Sequence, residues 1–308
     1  MKVHHRIEQP ATQRPLVLAI GFFDGLHLGH REILRTLLRL RRPGYRAAVL
    51  SFRNHPSTFL RPDKVPPLLG TVEERVNLLA STGIDELFLV PFDERVARIG
   101  ARAFCTDVIA GILGAKALVV GENFRFGAGR EGDATLARET LAAYGTTVVA
   151  VPPFMDSDER VSSTRVRAAV LRGDMEAANR LLGESYAVRG RVVVGEGRGH
   201  DLDFPTANLA VPAEKTLPAD GVYVVGARHD GRDYRGLVSI GTNPTFDGRT
   251  RTVEAWLLDF QETIYGQELT LRDFRFLREQ RKFDSAEALL AQMREDATHV
   301  RFPSFLPA

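Results

Sequence analysis

Short apolar runs alternate with longer segments of helical periodicity from residue 16 to about residue 150, and this alternation constrains the fold more than any other feature of the chain. Strands that are separated by helices usually become parallel neighbours, because the helix carries the chain back to the start of the sheet. The pattern therefore predicts an α/β domain with a doubly wound parallel sheet. The predicted strands are 16–20, 47–52, 86–90, 117–120 and 147–151.

Local signals mark the helices of this part of the chain. Thr71 and Glu74 form the sequence pattern of a capping box, which predicts a helix over 72–81. Two shorter helices are predicted at 163–172 and 175–182, because a glycine suited to a helix C-terminus follows each of them.

The pattern changes after about residue 184. Short β-branched or aromatic runs follow, separated by Gly, Pro, Asp and Asn, as is typical of an antiparallel sheet or a small barrel. A last helix is predicted from Asp284, with Glu287 as its capping partner, to about His299. We therefore expect two domains, 1–183 and 184–308.

Composition narrows the classes of function. The chain has 41 basic and 39 acidic residues, so its net charge of +2 gives no field that favours nucleic acid. The one cysteine, Cys105, excludes an internal disulfide and a cysteine-built metal site, and we expect it to be a small buried side chain. The sequence shows no signal peptide and no apolar run as long as a membrane span. We expect a cytoplasmic protein without a nucleic-acid or membrane partner, and the sequence leaves its oligomeric state open.

The segment 21–30, GFFDGLHLGH, is the strongest candidate for a binding site. It follows the predicted strand 16–20 and leads into the amphipathic segment 31–41. The free backbone N–H groups and the dipole of a helix N-terminus favour an anion. His27 and His30 are three residues apart, so both rings point to one side of the first helical turn and can reach phosphate oxygens together. The segment predicts a phosphate site.

Two other segments follow predicted strands and are further ligand candidates. Residues 54–56, Asn-His-Pro, follow one strand, and residues 121–127, GENFRFG, follow another. In a doubly wound sheet, ligands bind beyond the carboxyl ends of the strands. Asn123 together with Phe124 and Phe126 suits a flat heteroaromatic ligand, although the two aromatic side chains also fit one face of an edge strand.

GFFDGLHLGH resembles the (H/T)xGH signature of the nucleotidyltransferase superfamily, in the form found in bacterial FAD synthetases. The resemblance implies in-line attack on the α-phosphorus of ATP, with pyrophosphate leaving and no covalent intermediate. It also implies that His27 and His30 stabilise charge on the triphosphate. The implied pocket residues for the nucleotide are Gly21, Phe22, Asp24 and Gly25. VGENFRFG resembles the flavin side of the same site, so the implied flavin-binding residues are Asn123, Phe124 and Phe126.

A third segment, VSSTRVR at 161–167, resembles the ISSTxIR motif of the same superfamily. Hydroxyl groups at a helix start bind phosphate, and arginines one turn later neutralise a leaving pyrophosphate, whereas capping alone also accounts for the serines. Arg165 and Arg167 point to different faces of a helix, so we expect one of them to be structural or solvated. The nucleotide-binding residues implied here are Ser163, Thr164, Arg165 and Arg167.

Two segments of the second domain resemble riboflavin kinases. FPTAN at 204–208 resembles the PTAN motif, in which Thr206 and Asn208 offer neutral oxygens to a Mg²⁺ held mainly by ATP phosphates. TVEAW at 252–256 places Glu254 where the family has its catalytic carboxylate, which takes the proton of the ribityl 5′-hydroxyl. Without the resemblance, a turn and the solvated face of a strand account for the same residues.

Two positions depart from the family pattern. Asp203 stands directly before FPTAN, where the family usually has glycine, and it brings a negative charge near the expected phosphate and metal site. This carboxylate either weakens ATP binding or supplies a further magnesium ligand. Phe22 stands where the family commonly has asparagine, and it leaves the histidines and glycines in place.

Together the resemblances imply an α/β doubly wound nucleotidyltransferase (Rossmann-like) domain, followed by a small antiparallel β-barrel riboflavin kinase domain with a C-terminal helix. The implied function is phosphorylation of riboflavin to FMN in the second domain and adenylylation of FMN to FAD in the first. ATP is the co-substrate of both steps, ADP and pyrophosphate are the by-products, and Mg²⁺ is the expected cofactor. Two alternatives stay open: an FMN adenylyltransferase whose kinase is inactive because of the loop 200–203, and a non-catalytic regulator that binds flavin or nucleotide.

Overall fold

The computed structural model of the 308-residue chain describes residues 1–7, 14–194, 205–242 and 251–301. The chain divides into two compact units, Met1–Ser163 and Thr164–Ala308. Helices 163–172 and 175–182 of the sequence prediction fall at the start of the second unit, whereas the predicted domain boundary at 183/184 follows them. That boundary stays a prediction.

The first unit is built on a six-stranded sheet in which every pair of neighbours is parallel. Its strands are β1 (Lys2–His4), β2 (Leu16–Ile20), β3 (Arg46–Phe52), β4 (Glu86–Val90), β5 (Ala115–Gly121) and β6 (Thr147–Val151). Their order across the sheet is β1-β4-β3-β2-β5-β6, which confirms the predicted doubly wound parallel sheet. The three-residue strand β1 was not predicted, because it is too short to show a hydrophobic period.

Helices cover the sheet between the strands. They are α1 (Leu28–Leu40), α2 (Ser57–Leu60), α3 (Val72–Ser81), α4 (Glu94–Ala97), α5 (Ala101–Ala103) and α6 (Ala134–Ala142), with a π-helical stretch Phe104–Ile112 after α5. The predicted capping box is present at the start of α3, since Glu74 N–H donates to Thr71 Oγ1 and Thr71 N–H donates to the Glu74 carboxylate. A small hairpin, β7 (Met155–Asp156) and β8 (Glu159–Arg160), precedes the end of the unit.

Alternate residues of the central strand supply two hydrophobic cores. Val17 and Ala19 pack in a cluster with Leu34 and Leu37 of α1, whereas Leu18 lies in the opposite cluster. Each side chain is almost fully buried, and burial of a Leu or Val stabilises the fold by about 1.5–3 kcal/mol. The sheet is therefore covered on both faces, which leaves its carboxyl edge for a ligand.

The second unit contains a closed six-stranded antiparallel barrel, which confirms the predicted barrel. Its strands are β9 (Val188–Val193), β10 (Thr206–Ala210), β11 (Gly221–His229), β12 (Arg232–Thr242), β13 (Arg251–Leu257) and β14 (Glu268–Arg278). They close in the order β10-β13-β12-β11-β14-β9. The helices of this unit are α7 (Ser163–Leu171), whose first residue belongs to the first unit, α8 (Met175–Leu182) and α9 (Ala286–Arg301).

The start of α9 differs from the sequence prediction. Ala288 N–H donates to Ser285 Oγ at 3.2 Å, so Ser285 caps the helix and the predicted cap at Asp284 is wrong by one residue. A serine hydroxyl caps as well as a carboxylate does, and the two neighbouring candidates look alike in the sequence. Within the described ranges, no helix has both the length and the apolarity to cross a membrane.

Candidate functional site

The order of the parallel sheet reverses beside β2. The chain moves from β2 outward to β3 and β4 on one side, and it later adds β5 and β6 on the other side. Ligands of doubly wound sheets bind at such a reversal, beyond the carboxyl ends of the strands. The loops after β2, β3 and β5 therefore meet at one edge of the sheet, and they include the candidate segments 21–30, 54–56 and 121–127.

The turn after β2 has an unusual backbone. Phe23, Gly25 and Leu26 all have positive φ, at 57°, 72° and 43°. Gly25 adopts this conformation without strain, whereas each of the two other residues pays on the order of 1–2 kcal/mol for it. Phe23 and Leu26 are fully buried, so hydrophobic burial offsets part of this strain.

The turn brings the two histidines together at the N-terminus of α1. His30 N–H donates to His27 Nδ1 at 3.3 Å, so His27 is the N-cap of the helix. The two rings are stacked, with centroids 3.7 Å apart and planes 16° apart. Gly29 leaves room for this arrangement, because a Cβ there lies only 3.3 Å from two atoms of the His27 ring.

Both histidines are neutral near pH 7. Burial lowers the pKa of His27 from 6.5 to about 4. Burial also lowers the pKa of His30 well below its ordinary value, and a charge on His27 lowers it further. Since His27 Nδ1 accepts a hydrogen bond, the proton of the neutral ring lies on Nε2, which is a donor. His30 Nδ1 is buried and has no hydrogen-bond partner among the described residues.

Asp24 shapes the turn from inside the protein. Its Oδ1 accepts hydrogen bonds from the N–H groups of Leu69 and Gly70, at 2.9 and 3.2 Å. Its backbone oxygen accepts a hydrogen bond from Ser163 Oγ at 3.0 Å. Asp24 is 3% exposed, so its carboxylate holds the segment before α3 against the turn.

A residue that the sequence prediction missed supports the same turn. Arg75 of α3 is buried, and its guanidinium donates to the backbone oxygens of Phe22, Phe52 and Arg53. The same group lies 4.1 Å from the ring centroid of Phe22. One signal was present in the sequence: Arg75 stands four residues before the buried Leu79, on the inward face of its helix.

The predicted flavin-binding residues differ in exposure. Asn123 is exposed, Phe124 is half-buried and Phe126 is 9% exposed. The rings of Phe124 and Phe126 are stacked at 5.5 Å, and Phe126 also contacts Phe104 in the core. Asn123 and Phe124 are therefore accessible to a ligand, whereas Phe126 packs between Phe124 and the core residue Phe104. Phe126 forms a single bridge to Gly132, so the pair does not belong to a regular edge strand.

The side chains of segment 54–56 form hydrogen bonds within the protein. The Asn54 side chain donates to Phe92 O and accepts from Phe92 N–H, which ties the loop after β3 to the loop after β4. His55 Nδ1 accepts from Ser57 N–H at the start of α2. These contacts explain both side chains without a ligand.

The third motif begins beside the histidine turn. Ser163 reaches Asp24 as described, and a Cβ on Gly29 is 3.6 Å from Val161 O. The rest of the motif lies in α7 and belongs to the second unit. Thr164 is exposed there, whereas Arg165 and Arg167 are half-buried.

The barrel brings together the predicted kinase residues. Asn208 of β10 lies opposite Glu254 of β13, and Thr206 lies opposite Trp256. Directly opposed residues of antiparallel strands share one face of the sheet. Thr206, Glu254 and Trp256 line a cavity of about 600 Å³, which is the size of a small-molecule site. Thr252 Oγ1 lies 3.5 Å from a carboxylate oxygen of Glu254.

The remaining walls of the cavity combine apolar, neutral polar and charged side chains. Leu289 and Met293 of α9 face the barrel across it. The basic lining residues are Arg281, Lys282 and Arg278, and Arg278 is paired with Asp296, an acidic residue of the same lining. An apolar wall next to cationic groups suits a ligand with a flat ring at one end and phosphate at the other. Asp203, which departs from the family pattern, lies outside the described residues.

The donor set of this cavity suits magnesium only in part. Thr206 lines the cavity with its hydroxyl, and Asn208, two residues later on the same strand and opposite Glu254, offers an amide oxygen on the same face of the sheet. Both are hard ligands. The described part of the chain contains no cluster of three or more His, Cys, Asp or Glu side chains that could hold a metal by itself. These residues therefore fit a Mg²⁺ whose other ligands come from nucleotide phosphates.

Each of the two domains matches a known protein family. The FAD synthetase family profile matches residues 9–165, and the riboflavin kinase profile matches residues 182–302. The bifunctional riboflavin kinase/FMN adenylyltransferase of Listeria monocytogenes is 34% identical, over 97% of this chain and 96% of its own length. The Escherichia coli protein of the same name is 36% identical, over 96% and 95%.

A solved structure shares the fold of the chain. The crystal structure of a protein described as a macrolide-efflux protein, from Streptococcus pneumoniae, superposes with a TM-score of 0.87 at 33% identity. The match covers 99% of this chain and all of the other one. With two family profiles in the predicted order and relatives of more than 30% identity over nearly the full length, the chain belongs to the bifunctional riboflavin kinase/FMN adenylyltransferase family.

Proposed function

We propose that the chain phosphorylates riboflavin to FMN in the barrel and adenylylates FMN to FAD on the parallel sheet, with ATP as the donor in both steps. The two activities are inferred from membership of the family. The observation that supports their location is the pair of separate sites: stacked neutral histidines at the sheet reversal, and Glu254 on the wall of a cavity in the barrel.

Adenylyl transfer needs positioned donors rather than a nucleophile of the protein. A phosphate oxygen of FMN attacks the α-phosphorus of ATP, and the bond from that phosphorus to the pyrophosphate oxygen breaks. His27 Nε2–H and the free N–H groups of the first turn of α1 are donors to the negative charge on the phosphates. A bound phosphate oxygen also gives the buried His30 Nδ1 a polar partner, which removes the cost of leaving that atom unpaired.

Other residues of the first site fix the substrates. Gly21, Phe22, Asp24 and Gly25 shape the nucleotide pocket, and Asn123 with Phe124 meets the flavin. Ser163 acts through Asp24, whose backbone oxygen it holds. Thr164, Arg165 and Arg167 support the nucleotide and the departing pyrophosphate.

Phosphoryl transfer in the barrel needs a proton acceptor. The ribityl 5′-hydroxyl of riboflavin attacks the γ-phosphorus of ATP, ADP leaves, and Glu254 takes the hydroxyl proton. Thr206 and Asn208 would hold a Mg²⁺ that neutralises charge on the ATP phosphates. The flavin ring fits the apolar wall that α9 presents to the cavity.

The two alternative functions make different demands on the barrel. A regulator that only binds flavin has no use for a carboxylate in the cavity, so Glu254 favours an active kinase over this alternative. The other alternative, an adenylyltransferase with an inactive kinase, holds if Asp203 prevents ATP binding in the barrel.

A direct assay separates these functions. Purified protein with Mg²⁺ and ATP receives riboflavin in one tube and FMN in a second, and chromatography separates the flavins. We expect FMN and FAD from riboflavin, and FAD from FMN. FAD from FMN alone would show that the kinase is inactive, and no product in either tube would contradict the enzymatic function.

A further inference from the structure

We propose that Arg75 is a positioning residue for adenylyl transfer: its buried guanidinium holds the main chain beyond β2 and β3 and thereby fixes the turn that carries His27 and His30. This inference rests on the proposed role of that turn in FAD formation. Arg75 is buried and both of its terminal nitrogens donate to backbone oxygens, so it acts through the main chain rather than on a ligand.

The contacts of Arg75 join the two strand ends at the centre of the sheet edge. One terminal nitrogen donates to Phe22 O at 3.1 Å, and the other donates to Phe52 O at 2.7 Å and to Arg53 O at 3.0 Å. Phe22 follows β2, and the other two oxygens belong to the end of β3 and the residue after it. The guanidinium therefore sets the distance between the two loops that border the nucleotide site.

The turn needs such support because its backbone is strained. Phe23 and Leu26 have positive φ, and residues held in this region persist only where the surrounding structure determines them. Three further contacts act on the same turn: Ser51 Oγ donates to Phe22 O, and Asp24 Oδ1 accepts two N–H groups from the segment just before α3. Arg75 adds the α3 helix itself to this support.

An arginine suits this role better than a lysine. A planar guanidinium donates in fixed directions to several oxygens at once, whereas an ammonium group is a point charge on a flexible stem. Its central carbon, Cζ, also lies over the Phe22 ring, 4.1 Å from the ring centroid, in a cation–π contact. Phe22 and Arg75 thus act as a pair. Burial lowers the pKa of Arg75 to about 10, so the group stays charged at neutral pH.

The experiment compares the variants Arg75→Lys and Arg75→Met with the wild type. Each protein is assayed for FAD formation from FMN and for FMN formation from riboflavin, with kcat and KM for both. Misplacement of reacting groups by about 1 Å costs up to about a hundredfold in rate, so we expect R75M to lower kcat of FAD formation by about tenfold or more. We expect R75K to lie between R75M and the wild type, and kinase kcat and KM to stay unchanged in both variants.

Two controls make the result specific. Arg98→Met removes an exposed arginine that pairs with Glu94 on the surface, and both activities should stay at the wild-type level. His30→Ala tests the proposed function itself: if H30A keeps full FAD formation, that function fails at this turn, whatever Arg75 does.

The outcome that overturns the inference is a wild-type kcat of FAD formation in R75K and R75M at a temperature where circular dichroism shows both folded. A lower melting temperature with unchanged kcat has the same meaning, since it shows that Arg75 only stabilises the domain. If R75M does not fold, R75K alone decides, because it keeps the charge and loses the fixed geometry.

Discussion

The two candidate sites place His27 and Glu254 in different environments. His27 is 5% exposed at the N-terminus of α1, and burial keeps it neutral. Glu254 is half-buried on the wall of an open cavity in the barrel. The difference follows the chemistry: adenylyl transfer needs donors with fixed positions, which a buried and strained turn supplies, whereas phosphoryl transfer to a hydroxyl needs a proton acceptor that substrate can reach.

Removal of one catalytic group from each site tests whether the two sites are separate. We expect His30→Ala to abolish FAD formation from FMN and to spare FMN formation from riboflavin, and Glu254→Ala to do the reverse. Removing one such group commonly costs on the order of a hundredfold or more in rate. Initial rates of both reactions for both variants measure this. Loss of both activities in a folded single variant would contradict two separate sites.

The lowered pKa of His27 predicts that the stability of the protein depends on pH. The pKa of His27 is about 4 in the folded protein and 6.5 ordinarily, so the unfolded chain binds more protons between these values. The free energy of unfolding should therefore fall as the pH is lowered from 6.5 towards 4, by up to about 3 kcal/mol from this residue. Its full contribution is present above pH 6.5.

Urea unfolding at several pH values, followed by circular dichroism, measures the slope. His27→Asn keeps a side-chain acceptor at the helix cap and removes the titrating ring, so its stability should depend less on pH over this range. An equal slope in the variant and the wild type would show that His27 is not the buried titrating group.

Gly29 tests how tightly the histidine pair is held. Ala at this position places a Cβ 3.3 Å from the His27 ring, which must shift by a few tenths of an ångström. We expect Gly29→Ala to reduce FAD formation about tenfold and to leave FMN formation unchanged. Gly100→Ala is the matched control, since its Cβ meets only an ordinary contact at 3.5 Å. Full activity of G29A would mean that the pair tolerates displacement.

Substitution in the apolar wall of the barrel cavity should have a weaker effect than the changes above. Met293→Ala removes part of the apolar wall that α9 supplies, and we expect the loss of these contacts to weaken binding by about 1 kcal/mol, the low end of the range for a small change in a hydrophobic pocket. We therefore expect KM for riboflavin to rise several-fold with little change in kcat, and FAD formation from FMN to stay constant. Arg294→Ala, an exposed neighbour in the same helix, is the control. A change in kcat without a change in KM would contradict a role of Met293 in binding.

Much of the fold was predictable because its signals are local. The alternation of strands and helices, the capping box at Thr71 and the change of pattern after residue 184 all depend on short stretches of sequence. The π-helical form of Phe104–Ile112 was not predictable, because an apolar run does not distinguish it from an ordinary helix.

The candidate site was predictable in its residues and less so in its geometry. The spacing of His27 and His30 placed both rings on one side, and the structure shows them stacked. The positive φ of Phe23 and Leu26 and the burial of Phe126 arise from contacts that are distant in the sequence. Arg75 is the clearest case, since its partners lie 22 to 53 residues away along the chain.

The most direct test of two independent sites is complementation between two inactive variants. H30A alone should convert riboflavin to FMN and stop there, and E254A alone should leave riboflavin unchanged. An equimolar mixture of the two, with Mg²⁺, ATP and riboflavin, should produce FAD, because FMN made by one protein is the substrate of the other. A mixture that accumulates FMN without FAD, while E254A still converts added FMN, would contradict sites that work independently.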